Sequence, residues 1–212
     1  MILYDYCRSS AAYRVRIALN LKGFEYDQVA VNLVSGEHRE EPHLTRNAQA
    51  LVPVLEDNGV QLTQSLAICE YLDEAYPDSY PLLSGIPFER AAQRAFAQAI
   101  ACDIHPVNNL RVLQYLVNEM GVDAEKKMQW YHHWIHQTFI ALEVALKKRP
   151  KQTVFCCGDQ VTIADVCLVP QVFNAHRFEV DMSGYPLISA INHRCIEMEA
   201  FAKAHPGLQP GA

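Results

Sequence analysis

Nothing in this chain is built for a polyanion. Lysine and arginine number 18 against 24 aspartates and glutamates, a formal charge of -6, so no basic field is available to draw nucleic acid or an anionic lipid surface. Long apolar runs are missing too, because aspartate or arginine interrupts each hydrophobic stretch before it reaches membrane-spanning length. The opening Met1-Ile2-Leu3-Tyr4-Asp5 has neither the basic start nor the apolar stretch of a secretory leader. A cytoplasmic protein is the expectation. Cys-x-x-Cys is absent, and the 7 cysteines are an odd number at irregular spacings, which fits reduced thiols better than a disulfide framework. Cys156 and Cys157 are adjacent, and Cys69, Cys102, Cys167 and Cys195 fall in helical patterns where a small buried hydrophobe is expected. His132, His133 and His136 lack a carboxylate or cysteine at a supporting spacing, so a solvated helix face is expected there and no metal. Internal repeats and low-complexity tracts are absent.

Half of the 212 residues are apolar, enough for a sizeable core in one or two domains. Residues 1–6 read as a buried strand. Ala11, Val15, Ala18 and Leu19 then make one apolar helix stripe, with Arg14, Arg16 and Lys22 off it and Gly23 as a stop. Residues 26–31 read as a second strand and 36–47 as a loop or irregular helix. Val52-Pro53-Val54-Leu55 and Val60-Gln61-Leu62 flank Asp57-Asn58-Gly59, a hairpin signal. Ile68, Tyr71, Leu72 and Ala75 give a helix that Pro77 ends. A βαβ unit followed by a ββα unit is the order of a thioredoxin-like α/β domain, placed at residues 1–80. Prolines and a glycine crowd 78–87, which reads as the boundary. Residues 88–212 read as all-α: helical periodicity over 88–119, interrupted at Pro106, then over 125–146, 163–175 and 187–204.

Two serines, Ser9 and Ser10, lie between the first strand and its helix, where a hydroxyl either caps free N–H groups or addresses a ligand. Arg8 and Arg14 beside that helix start oppose its dipole, a broken local rule of the kind found at functional sites. An anion bound there would be drawn by the helix end and the guanidinium groups together. Val52-Pro53 opens a strand with a residue that cannot donate to the ladder, and either isomer is open. A cis bond would let Val52 turn its N–H and C=O to an extended peptide. Gln64-Ser65 starts the next helix, with Ser65 read as an N-cap and as a donor to a carboxylate. Thr162-Ile163-Ala164-Asp165 is a variant capping box, a folding signal, and the apolar 166–169 after it marks a central helix.

These residues resemble the zeta class of glutathione transferases. The likeness rests on Arg8-Ser9-Ser10 with Tyr13-Arg14-Val15-Arg16-Ile17-Ala18-Leu19, Leu51-Val52-Pro53, Gln64-Ser65-Leu66-Ala67-Ile68, and Gly158-Asp159 through Asp165. Leu168-Val169-Pro170-Gln171-Val172 and Asn174-Ala175-His176-Arg177-Phe178 extend it over nearly the whole chain. The serine-serine and Arg-Val-Arg block is specific to the class; the Val-Pro step and Thr-x-x-Asp are shared by transferases generally. The resemblance implies a thioredoxin-like domain plus an all-α domain, a homodimer, and glutathione as cofactor. It places Ser9 and Ser10 at the glutathione sulfur, Val52 on the cysteinyl backbone, Gln64 and Ser65 on the γ-glutamyl carboxylate, and His105, Asn109 and Arg111 near the ligand. It implies that Arg8 and Arg177 meet an acidic substrate. The implied activity is cis–trans isomerisation of maleylacetoacetate to fumarylacetoacetate in tyrosine and phenylalanine catabolism. Maleylpyruvate isomerisation, conjugation of apolar electrophiles and a non-enzymatic module are the alternatives. One position departs: many zeta members have a cysteine directly after the two serines, where this chain has Ala11, so activities that need that thiol are expected to be weak.

Overall fold

The computed structural model describes residues 1–149 and 153–212 and divides them into two compact units, Met1–Leu83 with Ile196–Ala212, and Ser84–Cys195. In the first unit the elements run β1 (Ile2–Asp5), α1 (Ser10–Leu21), β2 (Asp27–Ala30), α2 (Glu41–Leu44), β3 (Val54–Asp57), β4 (Val60–Thr63) and α3 (Ser65–Ala75). The sheet order is β2-β1-β3-β4, with β1 parallel to β2 and β3 antiparallel to both β1 and β4. That is the mixed sheet expected of βαβ followed by ββα. The hairpin forms at Asn58 and Gly59, whose φ values of 50° and 79° are what a two-residue turn needs to match strand twist. Residues 36–47 hold a 3-10 turn, Glu37–Arg39, and then α2.

Arg14, Arg16 and Lys22, expected off the apolar stripe of α1, are buried. Arg14 is met by Ser65 and Lys22 by Asp73, Ser79 and Tyr80, while the cover over Arg16 comes from the far end of the chain. The sequence reading puts 88–212 together as one helical domain, whereas α9 (Glu199–Lys203) and the residues after it pack with the first unit. Arg16 donates to the carbonyl of Ala204 at 3.1 Å, Asn20 to that of Ala200 at 2.9 Å, and the Cys7 thiol to that of Gly211 at 3.1 Å. Carbonyls at a helix end lack intrahelical partners, so Arg16 and Asn20 satisfy groups of α9 and its cap that would otherwise be orphaned. Arg16 also meets Asp5 Oδ2 at 2.6 Å, and Lys22 meets Asp73 at 2.7 Å.

The hairpin is fastened from α3. Tyr71 and Tyr76 both donate to Asp57 Oδ2, at 2.8 and 2.6 Å. Hydrogen bonding to that carboxylate pushes the Tyr76 phenol up to about 12 from its ordinary 10.0. A raised folded value means the neutral phenol favours the fold, so this stabilisation is complete below the unfolded value and is lost as pH rises through about 12. Asp57→Asn is therefore expected to bring phenolate absorbance in at lower pH. It should also flatten the alkaline loss of stability seen in urea unfolding; an unchanged phenol titration would count against this lock.

The second unit comprises α4 (Pro87–Gln98), a π-helical continuation Ala99–Ile104, α5 (Leu110–Asn118), α6 (Ala124–Lys147), α7 (Ile163–Arg177) and nearly all of α8 (Pro186–Ile196). The interruption expected at Pro106 is the break between the π segment and α5. It is held to α6 by Trp130 Nε1 donating to the Val107 carbonyl and Asn108 Nδ2 to that of Tyr131, both at 3.0 Å. α7 is buried on nearly every side, and Thr162 and Asp165 form the expected capping box at its start. The expected solvated histidine face holds for His133, which is exposed, and is corrected for the other two. His132 and His136 are half-buried, with Nε2 of His132 2.7 Å from the Phe178 carbonyl and Nδ1 of His136 2.6 Å from the Tyr185 hydroxyl. Cys102, expected buried, is exposed; Cys69, Cys167 and Cys195 are buried as expected. Among the described residues no helix is long and apolar enough to cross a membrane.

Candidate active site

Strand register gathers the first unit's candidates at one end of the sheet. Tyr4 pairs with Val54, and Val54 with Thr63. The carboxyl end of β1, the amino end of β3 and the carboxyl end of β4 therefore lie side by side. From those three ends leave the segments carrying Ser9 and Ser10, Val52, and Gln64 with Ser65.

Ser9 is the N-cap of α1, its Oγ accepting from the Ala12 amide at 3.2 Å. Capping and ligand binding do not compete, because a serine oxygen that accepts still has its own proton to donate. Ser10 is the first residue of α1 and is buried, Ala11 follows half-buried, and Arg8 is exposed. Residues in this first turn feel the positive end of the helix dipole.

The Val52-Pro53 bond is cis. The carbonyl of Leu51 accepts from Asn47 Nδ2 and lies against His43 Nε2, both at 2.9 Å. A peptide unit is planar, so pinning the Leu51 oxygen also fixes the opposite direction in which the Val52 N–H points. Among the described residues neither the N–H nor the C=O of Val52 has a hydrogen-bond partner. Such a pair is open to an extended peptide.

Ser65 proves to be the first residue of α3 and not its N-cap. Gln64 holds the cap position with φ 68° and ψ 111°, and no side chain caps this end. A non-glycine residue held in that region costs about 1–3 kcal/mol, and such residues cluster where ligands are clamped. The Gln64 side chain donates to Gln49 Oε1 at 3.0 Å. Ser65 is buried, and its Oγ accepts from Arg14 Nη1 at 3.2 Å. An uncapped helix N-terminus next to a buried guanidinium is suited to a carboxylate.

In the second unit Asn109 is the N-cap of α5, its side chain accepting from the Val112 amide at 3.2 Å. His105 ends the π segment, half-buried, and Arg111 is exposed on the first turn of α5. Arg177 is the last residue of α7, exposed, with its guanidinium over the Phe178 ring at 5.1 Å. His105, Asn109 and Arg111 thus share one helix break, and Arg177 comes from a different helix. Burial pushes the half-buried Cys157 thiol up to about 12 and those of Cys156 and Cys195 up as well, which holds these three as neutral thiols. Sequence reasoning missed His43 and Asn47. Both sit in a polar loop stretch, and nothing in residue type or spacing marks a carbonyl several residues on as their target.

The first unit can therefore hold an extended peptide by its backbone, a carboxylate at the start of α3 and an anionic sulfur at the start of α1. Comparison with known proteins bears on the same residues. Glutathione S-transferase, N-terminal domain, is the family model that matches residues 1–74, and Glutathione S-transferase, C-terminal domain, matches residues 135–208. A probable maleylacetoacetate isomerase of Vibrio cholerae serotype O1 is 49% identical over 214 residues, covering 100% of this chain and 98% of its own. The holo structure of maleyl pyruvate isomerase, a bacterial glutathione S-transferase in the zeta class, superposes with a TM-score of 0.97 at 43% identity over 100% of both chains. Maleylacetoacetate isomerase from Methylobacterium extorquens AM1, solved with bound malonate and GSH, gives a TM-score of 0.96 at 38% identity over 100% of this chain and 99% of its own.

Proposed function

This chain belongs to the glutathione S-transferase family, in its zeta class, and from that premise we propose that it is a glutathione-dependent isomerase converting maleylacetoacetate to fumarylacetoacetate. The observation that carries the proposal is the end of the sheet described above. Its open Val52 backbone, uncapped α3 and hydroxyl-bearing α1 fit a cysteinyl peptide with a carboxylate at one end.

Glutathione, when bound, would supply the sulfur nucleophile for addition to the cis double bond and its later elimination. The residues hold and tune it. Val52 takes the cysteinyl backbone, Gln64 and Ser65 the γ-glutamyl carboxylate, and His105, Asn109 and Arg111 complete the binding set. Ser9 and Ser10, with the positive end of α1, favour a charged sulfur over a neutral thiol. Each unit by which they lower the thiol pKa needs about 1.4 kcal/mol of differential stabilisation. Arg8 and Arg177 hold the substrate carboxylates and the negative charge that develops during rotation, with Arg111 behind them. The malonate that accompanies GSH in the Methylobacterium enzyme is a dicarboxylate, in keeping with this division of labour.

Maleylpyruvate is the second reading, favoured by the 0.97 TM-score with an isomerase of that substrate. The deciding experiment is an absorbance time course with each maleyl compound, with and without a low fixed amount of glutathione, while free thiol is followed. Turnover at constant thiol supports the isomerase and names its substrate. Thiol consumed in step with reaction would make the protein a conjugating transferase instead. We extend the reading to a homodimer in the cytoplasm, which the mass in solution and fractionation check.

Arg177→Ala is expected to raise KM for the maleyl substrate by about 10-fold or more, the worth of a hydrogen bond to a charge. A neutral electrophile conjugated at the same site should be almost unaffected. Equal losses on both would remove Arg177 from carboxylate recognition.

A further inference from the structure

α1 buries two guanidinium groups two positions apart, and the protein treats them differently. Arg16 is fully buried and each of its three nitrogens has a partner, with Asp5 Oδ2 at 2.6 Å, the Cys7 carbonyl at 3.0 Å and the Ala204 carbonyl at 3.1 Å. Arg14 is just as deep, 1% exposed, yet its single hydrogen bond runs from Nη1 to Ser65 Oγ. Its Nε and Nη2 are buried without a partner, and among the described residues no carboxylate pairs with it. A guanidinium cannot shed its proton to escape burial, so an unpaired one is costly unless something else supplies the negative charge. The fold shows at Arg16 how it neutralises such a group when folding alone is at stake.

We infer that Arg14 is a positioning residue for glutathione, the fixed countercharge for a carboxylate bound at the start of α3, acting through Ser65. This rests on the glutathione site proposed above and adds a residue to it. By donating to Ser65 Oγ, Arg14 occupies an acceptor site of that hydroxyl and leaves its proton to be given to an anion. The same contact polarises the hydroxyl and strengthens its donation. The start of α3, with no side-chain cap, contributes its free amides at the same place. Arg14 thus selects for the carboxylate without needing to touch it.

The test compares glutathione with γ-aminobutyryl-Cys-Gly, which is glutathione stripped of the γ-glutamyl α-carboxylate. Dissociation constants are measured by calorimetry for the wild type and Arg14→Met, alongside melting temperatures of the ligand-free proteins. The wild type is expected to prefer glutathione. Arg14→Met is expected to weaken glutathione by about 10-fold or more while leaving the stripped peptide nearly unchanged. Its melting temperature should hold or rise, because an unbalanced buried charge has been removed. Equal weakening of both peptides, or a retained preference for glutathione, overturns the inference. If Arg14→Met does not fold, Ser65→Ala decides: loss of the preference supports the coupling and a full preference overturns it. A wild type that binds neither peptide fails the glutathione reading itself, a result distinct from a wild type that binds both equally, which removes only the carboxylate subsite.

Discussion

Alanine at both Ser9 and Ser10 is expected to lower kcat/KM for the maleyl substrate by about 10³-fold, the scale of losing donors aimed at a developing anion. The expectation follows from where α1 begins. Ser9 Oγ accepts from the Ala12 amide and still has its own proton to donate, and Ser10 follows it on the first turn. Both hydroxyls meet the positive end of the helix there, and a sulfur anion is stabilised by both effects together. A pure capping role predicts something else: about 1 kcal/mol of lost stability and little change in rate. The pH–rate profile separates the two. Without the hydroxyls the acidic limb should move up toward ~8.5, the ordinary thiol value. Single variants then show which serine carries more of the charge. A double variant with normal rate and an unmoved limb would leave Ser9 as a cap and nothing more.

The largest effect on folding is expected at Asp165. Its carboxylate is fully buried and accepts from the Cys156 amide at 2.8 Å, the Thr162 amide at 2.9 Å and the Thr162 hydroxyl at 3.2 Å. Asp165→Ala removes every one of these acceptors and strands two backbone N–H groups in the interior, each costing about 1–3 kcal/mol. One of these losses is the N3 half of the capping box at the start of α7, the most enclosed helix of its unit. A loss of about 3–5 kcal/mol is expected, a large part of the total stability of an ordinary domain. Urea unfolding followed by circular dichroism would measure it, and a change under about 1 kcal/mol would show that water replaces the carboxylate. Thr162→Ala, which loses the hydroxyl but keeps both amide bonds, should cost clearly less.

The two replacements also mark which kinds of statement a sequence supports. Thr162 to Asp165, Ser9 to Ala12 and the Asn58-Gly59 turn are interactions within three residues, and each is visible as residue type at fixed spacing. The order of strands and helices followed from the same local periodicities. Ser65 illustrates the limit at the scale of one residue: a cap and a first helical position differ only by backbone angles, and the φ of 68° at Gln64 leaves no compositional trace.

By itself, then, the sequence determined the αβ-then-α order, the net negative charge, and the serine, Val-Pro and Gln-Ser segments proposed to carry the chemistry, because all of these reside in local pattern and composition. The tertiary structure alone decided which polar groups are buried and with whom. Arg16 is sheathed by a carbonyl from Ala204, His132 and His136 turn inward to Phe178 and Tyr185, and Leu51 is pinned by His43 and Asn47. Helical period reports which residues share a face, but not what later segment will cover that face. That is why Arg14 could be singled out as out of place beside a helix start, while its missing countercharge became visible only in the folded chain, where it is buried against Ser65 at the start of α3.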